Sequence, residues 1–109
     1  MSNNDISEQQ VFNTFKEFYP FYLSQHANLT CRRLHFVGST MVLILIGLSL
    51  FLQNAWLLIG LPIAGYSCAW VGHFIFEKNR PATFTYPLYS LLGDWVMFWQ
   101  IIVGKVSIR

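Results

Sequence analysis

Charged residues are what this sequence has least of. They make up 11% of 109 residues against 54% hydrophobic, and mean hydropathy is +0.42, whereas an ordinary soluble domain carries about 25% charged residues. A chain of this length builds one domain, and this one lacks the polar residues to cover itself in water, so lipid is its expected solvent. Net charge is only +2. The basic residues are scattered in pairs and form no basic stripe, so nucleic acid is not an expected partner. Cys31 and Cys68 form no C-x-x-C pair and give no basis for a disulfide or a redox compartment. The stretch MSNNDISEQQ is polar and acidic without a basic n-region, so residues 1–10 read as a polar tail and a cleaved secretory signal is not expected. The sequence holds no internal repeat and no low-complexity segment.

What the chain has in abundance is uninterrupted apolar sequence. Phe36 to Leu52, FVGSTMVLILIGLSLFL, runs seventeen residues without a charge, and Ala55 to Val71, AWLLIGLPIAGYSCAWV, runs seventeen more. Each reaches the lower limit for crossing a hydrocarbon core of about 30 Å, and a few flanking residues complete it. Only Gln53 and Asn54 separate the two, so the spacing predicts an antiparallel transmembrane hairpin with Asn54 capping the second helix. Pro62 falls inside the second run and is expected to kink it, because it removes a backbone donor and crowds the preceding turn. A third apolar stretch, Tyr86 to Val103, either spans or lies re-entrant against the hairpin. It contains Asp94 near its centre, and an ionisable group at that depth must face protein, metal or water, so Asp94 is expected to point inward. Val11 to Leu23 combines aromatic residues with one Lys–Glu pair and a break at Pro20, which suits an interfacial helix; the alternative is a loosely ordered arm.

Topology follows from the basic residues. Arg32 and Arg33 precede the first span while Lys78 and Arg80 follow the second, so the hairpin puts all four on one face, cytoplasmic by the positive-inside rule.

The same hairpin relates two of the three histidines. His35 lies 18 residues before Gln53 and His73 lies 19 residues after Asn54, so equal rise per residue brings both to nearly the same height on neighbouring helices. His26 is nine residues before His35, and on an unbroken helix it would face the opposite way. Asn28 and Thr30 are good caps and breakers, so a turn is expected there, with the first span beginning just after Thr30 and His26 folding back toward the others. Three imidazoles in one layer make a candidate site for a first-row transition metal; the alternative is three interfacial histidines bonded to water or backbone. Glu77, four residues after His73, shares its helix face and is either a further ligand or an acceptor that orients an imidazole. Cys31, four residues before His35, either approaches the metal or packs between helices. Arg32, Arg33, Lys78 and Arg80 read as topology anchors, with an anionic head group as their second candidate role. Asn79, next to Arg80 and Pro81, marks the end of the second helix and is a candidate hydrogen-bond donor to a ligand.

Two segments resemble a known family. HANLTCRRLHFVG, His26 to Gly38, and GHFIFEKNRPATF, Gly72 to Phe84, are similar to the small membrane proteins related to yeast 2-hydroxy-palmitic acid dioxygenase, the resemblance covering roughly Tyr22 to Trp99. The second motif is the more specific. In the first, Leu29 and Cys31 stand where a proline and a second asparagine are expected in eukaryotic relatives. The resemblance implies an iron(II)-dependent enzyme of fatty acid α-oxidation, which uses O2 to convert a long-chain 2-hydroxy fatty acid to the acid one carbon shorter and carbon dioxide. It further implies that His26, His35 and His73 hold the iron. Glu77, Asn79 and Asp94 are then the candidate catalytic residues, with the acyl chain between the helices.

The expected architecture is therefore an all-α integral membrane protein: residues 11–109 as one membrane-embedded domain with a central transmembrane hairpin, a third membrane helix and an N-terminal interfacial helix. Its location would be an inner membrane in a bacterium or the endoplasmic reticulum in a eukaryote, with the site on the cytoplasmic side and a homodimer as the expected assembly. Two other classes compete: a b-type haem electron carrier ligated by His35 and His73, and a structural membrane protein without chemistry. Di-iron hydroxylases need more imidazoles than the three present.

Overall fold

The computed structural model describes residues 11–109, so the polar tail of residues 1–10 lies outside it. The described chain is helical, with no strand among the described residues.

Helix α1 runs Phe15–Ser24. Thr14 caps it by accepting from the Glu17 N–H at 3.2 Å, and Glu17 reaches back to the Asn13 N–H at 3.2 Å. Pro20 sits inside α1 and does not break it, contrary to the sequence reading. The proline deprives only the Lys16 carbonyl of a donor, and Lys16 and Pro20 are both exposed, so that carbonyl faces outward. The opposite face buries Phe18 and Tyr22.

Helix α2, Leu29–Phe51, begins at Leu29 and not after Thr30. Asn28 is the cap, its Oδ1 accepting from the Cys31 N–H at 3.1 Å, so the turn falls on residues 25–28. At its far end Gln53 takes a left-handed conformation (φ 51°), and the Asn54 N–H returns to the Ser49 carbonyl at 3.0 Å, a closing motif that satisfies the last carbonyls of the helix. Asn54 then caps the next helix by accepting from the Trp56 N–H at 3.1 Å.

That helix is continuous over Ala55–Glu77 but changes pitch twice. Ala55–Ile59 is a 3₁₀ turn, α3 occupies Gly60–Val71, and Gly72–Glu77 is a π turn. Pro62 thus lies in the first turn of α3 rather than at a mid-helix kink, and the irregularity on its N-terminal side is the tighter 3₁₀ winding. Contacts run from Gly72 against Cys31 to Gly38 against Cys68 and Gly60 against Leu45, so the two long helices pack antiparallel. They have mean hydropathies of 2.1 and 1.4, long and apolar enough to cross a membrane, and only 17% and 6% of their most apolar windows is buried.

Helix α4, Pro87–Ile102, starts with proline at its first position and is followed by Gly104 at φ 85°. Its 16 residues extend about 24 Å, short of a spanning length, and among the described residues the two longer helices are the spanning candidates. Its buried face, Ser90, Gly93 and Met97, packs on α1. Met97 of this face joins Phe12, Phe18, Tyr22 and Val106 in the core, in which Phe18 meets the rings of Phe12, Tyr86 and Tyr89 at 5.4–5.6 Å. Phe98 stacks on Phe36 and ties α4 to α2.

Candidate metal centre

Three imidazoles arrive from three parts of the chain. His26 lies in the link after α1, His35 in the second turn of α2, and His73 in the π turn. All are buried, at 1%, 7% and 2% exposure. Local bonds hold each carrier in place. The His26 N–H donates to the Leu23 carbonyl at 3.0 Å, while the Arg32 guanidinium grips the His26 carbonyl at 2.6 Å. At the third position a Cβ on Gly72 would lie 3.0 Å from the Cys31 sulfur and 3.2 Å from its Cα, so only glycine lets the His73 backbone come this close to α2. After the π turn Lys78 adopts φ 58° and the Asn79 N–H returns to the His73 carbonyl at 3.0 Å. This brings the Asn79 side chain back to the ring.

The hydrogen bonds fix the tautomers. The Nδ1 atoms meet the Tyr22 carbonyl at 2.7 Å (His26), the Cys31 carbonyl at 3.0 Å (His35) and Asn79 Oδ1 at 2.8 Å (His73). The Asn79 amide cannot be turned round, because its Nδ2 donates to the Gln25 carbonyl at 3.0 Å and to Gln25 Oε1 at 3.1 Å. All three partners are acceptors, so each Nδ1 carries the proton and each Nε2 presents a lone pair. The His26 and His35 Nε2 atoms lie 3.1 Å apart with no proton left to join them, an arrangement that a cation between them stabilises. Two nitrogens each about 2.1 Å from one ion stand about 3.0 Å apart at a right angle and about 3.4 Å at the tetrahedral angle, so the observed separation fits ligation. The rings stand nearly perpendicular, at 79–89°, with centroids 4.4, 4.4 and 4.9 Å apart. Neutral imidazoles of this kind suit iron, zinc or copper. Burial, then the neighbouring imidazoles, push His26 well below the usual histidine range, so it is neutral and free to ligate.

Cys31 completes a buried group whose four ligand atoms lie within 4.8 Å of one another and could hold a metal ion. Its sulfur is 3.8 Å from His35 Nδ1, the protonated side of that ring.

The imidazoles form one end of a cavity of about 330 Å³ between α2, α3 and α4, walled largely by apolar side chains such as Val42, Leu61, Tyr66, Trp70 and Leu91. Asp94 lines it, as its expected inward orientation requires, and accepts a hydrogen bond from the Tyr22 hydroxyl. Burial raises the Asp94 carboxyl to about 6, with the Tyr22 hydroxyl acting in the opposite sense. The Tyr22 phenol is itself pushed well above its usual value by burial and by Asp94.

The other sequence candidates divide. Asn79 joins the centre as the partner of His73. The Glu77 carboxylate accepts from the Asn28 N–H at the start of α2 and so braces the turn that carries His26. Arg32 and Arg33 donate to the Ser107 and Ile108 carbonyls at 3.1 and 2.6 Å, fastening the C-terminal segment to α2. Arg80 lies over the Phe84 ring at 4.8 Å. Among the residues lining the cavity, Arg32, Arg33, Lys78 and Arg80 do not occur. Sequence reasoning missed Tyr22, which stacks on His26 with centroids 4.1 Å apart, and Gln25, the anchor of Asn79. The four-residue interval from Tyr22 to His26 was the available signal for the first; nothing in the sequence marks the second.

No curated protein and no solved structure matches the chain. The family model described as 2-hydroxy-palmitic acid dioxygenase Mpo1-like matches residues 12–106, which include all three histidines, Asn79 and Asp94, and the chain belongs to that family.

Proposed function

We propose that this protein is an iron(II)-dependent dioxygenase that converts a long-chain 2-hydroxy fatty acid and O2 to the fatty acid one carbon shorter, carbon dioxide and water. The observation that carries the reading is a buried group of three Nδ1-protonated imidazoles at the end of an apolar cavity, with ligand atoms within 4.8 Å of one another and the His26 and His35 Nε2 atoms 3.1 Å apart. Membership of the family suggests a dioxygenase-related role. His26, His35 and His73 would hold the iron, which when bound supplies the redox chemistry that O2 requires. Ring centroids 4.4–4.9 Å apart leave no room for a porphyrin between His35 and His73, which argues against haem.

The chain's own residues do the rest. From Leu61 to His73 the cavity follows 12 residues of helix, about 18 Å. A carbon zigzag advancing about 1.3 Å per bond fits roughly 14 carbons into that length, which suits a long acyl chain. The apolar walls keep water from the reacting end. Asp94, with a carboxyl that releases its proton near neutrality, is placed to take the proton of the substrate hydroxyl. Tyr22, Cys31 and Asn79 hold the three Nδ1–H groups and with them the direction of each Nε2.

Residues 11–109 form a single membrane-embedded domain on this reading, with α2 and Ala55–Glu77 as a transmembrane hairpin and α1 along the interface. The small buried share of the two helices supports it, since a core helix of a soluble protein buries most of its apolar surface. Arg32, Arg33, Lys78 and Arg80 put the histidine end on the cytoplasmic side. Iron-loaded protein in detergent, given a long-chain 2-hydroxy acid, should consume one O2 per carbon dioxide released, and His35→Ala and His73→Ala should abolish both. Iron-loaded wild type that consumes no oxygen with such acids would exclude the reaction.

A further inference from the structure

Ser90 is 2% exposed, lines the cavity, and carries the one buried side-chain polar atom without a hydrogen-bond partner among the described residues. Hydroxyls in helices ordinarily bond a carbonyl of the preceding turn, as Thr40 does with Phe36 at 2.8 Å and Ser24 with Phe21 at 2.6 Å. Ser90 does not, although its own N–H bonds the Tyr86 carbonyl four residues back at 2.9 Å. A buried hydroxyl left open on a cavity wall calls for a polar atom from whatever fills the cavity.

Asp94 is four residues on, one turn further along α4, and lines the same cavity. Groups so spaced have Cβ atoms about 5–6 Å apart on one helix face. One presents an O–H donor and the other a carboxyl acceptor, which together match an alcohol oxygen that both accepts and donates. The three imidazoles line the same cavity, Tyr22 bridges the two groups by stacking on His26 while donating to Asp94, and the remaining walls are largely apolar.

We propose that Ser90 is a specificity-determining residue that donates a hydrogen bond to the 2-hydroxyl oxygen of the bound acid while Asp94 accepts from that hydroxyl. This rests on the proposed function. The pair selects hydroxylated acids over plain fatty acids of equal length, because a plain acid leaves the Ser90 hydroxyl unpaired in a dry cavity and gives Asp94 no donor beyond Tyr22.

The test is equilibrium binding to anaerobic iron-loaded protein, where no turnover occurs, of a long-chain 2-hydroxy acid and the unsubstituted acid of the same length. Wild type should prefer the 2-hydroxy acid. Ser90→Ala and Ser90→Cys, the second close in volume and a poor donor, should each reduce that preference about 10-fold while leaving affinity for the unsubstituted acid unchanged. A purely structural serine would weaken both acids together. An unchanged preference in a folded variant, or equal weakening of both acids, overturns the assignment while leaving the reaction standing. Wild type that binds neither acid overturns both.

Discussion

Replacing Asn79 separates the two jobs that its amide performs. Its Oδ1 holds the His73 Nδ1–H at 2.8 Å, and its Nδ2 ties the chain to Gln25 at 3.0 and 3.1 Å. Asn79→Ala removes both. Loss of a histidine's outer hydrogen bond typically weakens metal binding 10- to 100-fold, about 1.4–2.8 kcal/mol, and loss of the Gln25 contacts should lower the stability of the metal-free protein by about 1–2 kcal/mol. Asn79→Asp keeps the acceptor and charges it, but turns an oxygen toward the Gln25 carbonyl in place of the donor. It should therefore bind metal at least as tightly as wild type while losing stability much as alanine does. Competition against a chromogenic chelator under anaerobic conditions reads the first quantity, and thermal melting of the metal-free protein in the same detergent reads the second. The reasoning fails if Asn79→Ala binds metal as tightly as wild type, or if Asn79→Asp binds as weakly as Asn79→Ala.

Gly93→Ala should couple packing to the metal. The added Cβ would lie 3.0–3.2 Å from the buried Tyr22 ring, which stacks on His26, so we expect a stability loss of about 1–3 kcal/mol together with weaker metal binding; a melting temperature equal to wild type would rule out the close fit. Asp94→Asn should change the pH dependence of stability. The Asp94 carboxyl rises from 3.8 to about 6 in the fold, so the folded chain keeps a proton that the unfolded chain has already lost. Its stabilisation is complete below the lower value and disappears as pH rises through the upper one, by about 3 kcal/mol in all. Asparagine has no such proton, and subtracting the variant's melting profile from that of wild type cancels the imidazoles; a difference that stays flat from pH 4 to 7 would show the carboxyl is not perturbed.

The parts of the site legible in the sequence are those set by counting along regular helices. Gln53 and Asn54 mark the turn because two uncharged runs end there, and equal distances from it bring His35 level with His73. Asn28 and Thr30 signalled a break, although capping geometry starts α2 at Leu29, because the asparagine and not the threonine supplies the acceptor. The π turn at His73 was not legible: it follows from the close approach of Gly72 to Cys31, a contact between residues 41 apart. Pro20 misled because a proline's effect depends on where its unpaired carbonyl faces. The contacts of Arg32 and Arg33 were not legible because their carbonyl partners, Ser107 and Ile108, are distant in sequence. Ser90 carried no signal, since an unpaired hydroxyl is a property of packing.

The central claim is that three imidazoles share one ion through their Nε2 atoms, and metal content measures it most directly. Protein purified with iron should carry about one ion per chain, with occupancy lost in His26→Ala, His35→Ala and His73→Ala alike, each still folded by melting. Full occupancy in a variant lacking both His35 and His73 would contradict the account.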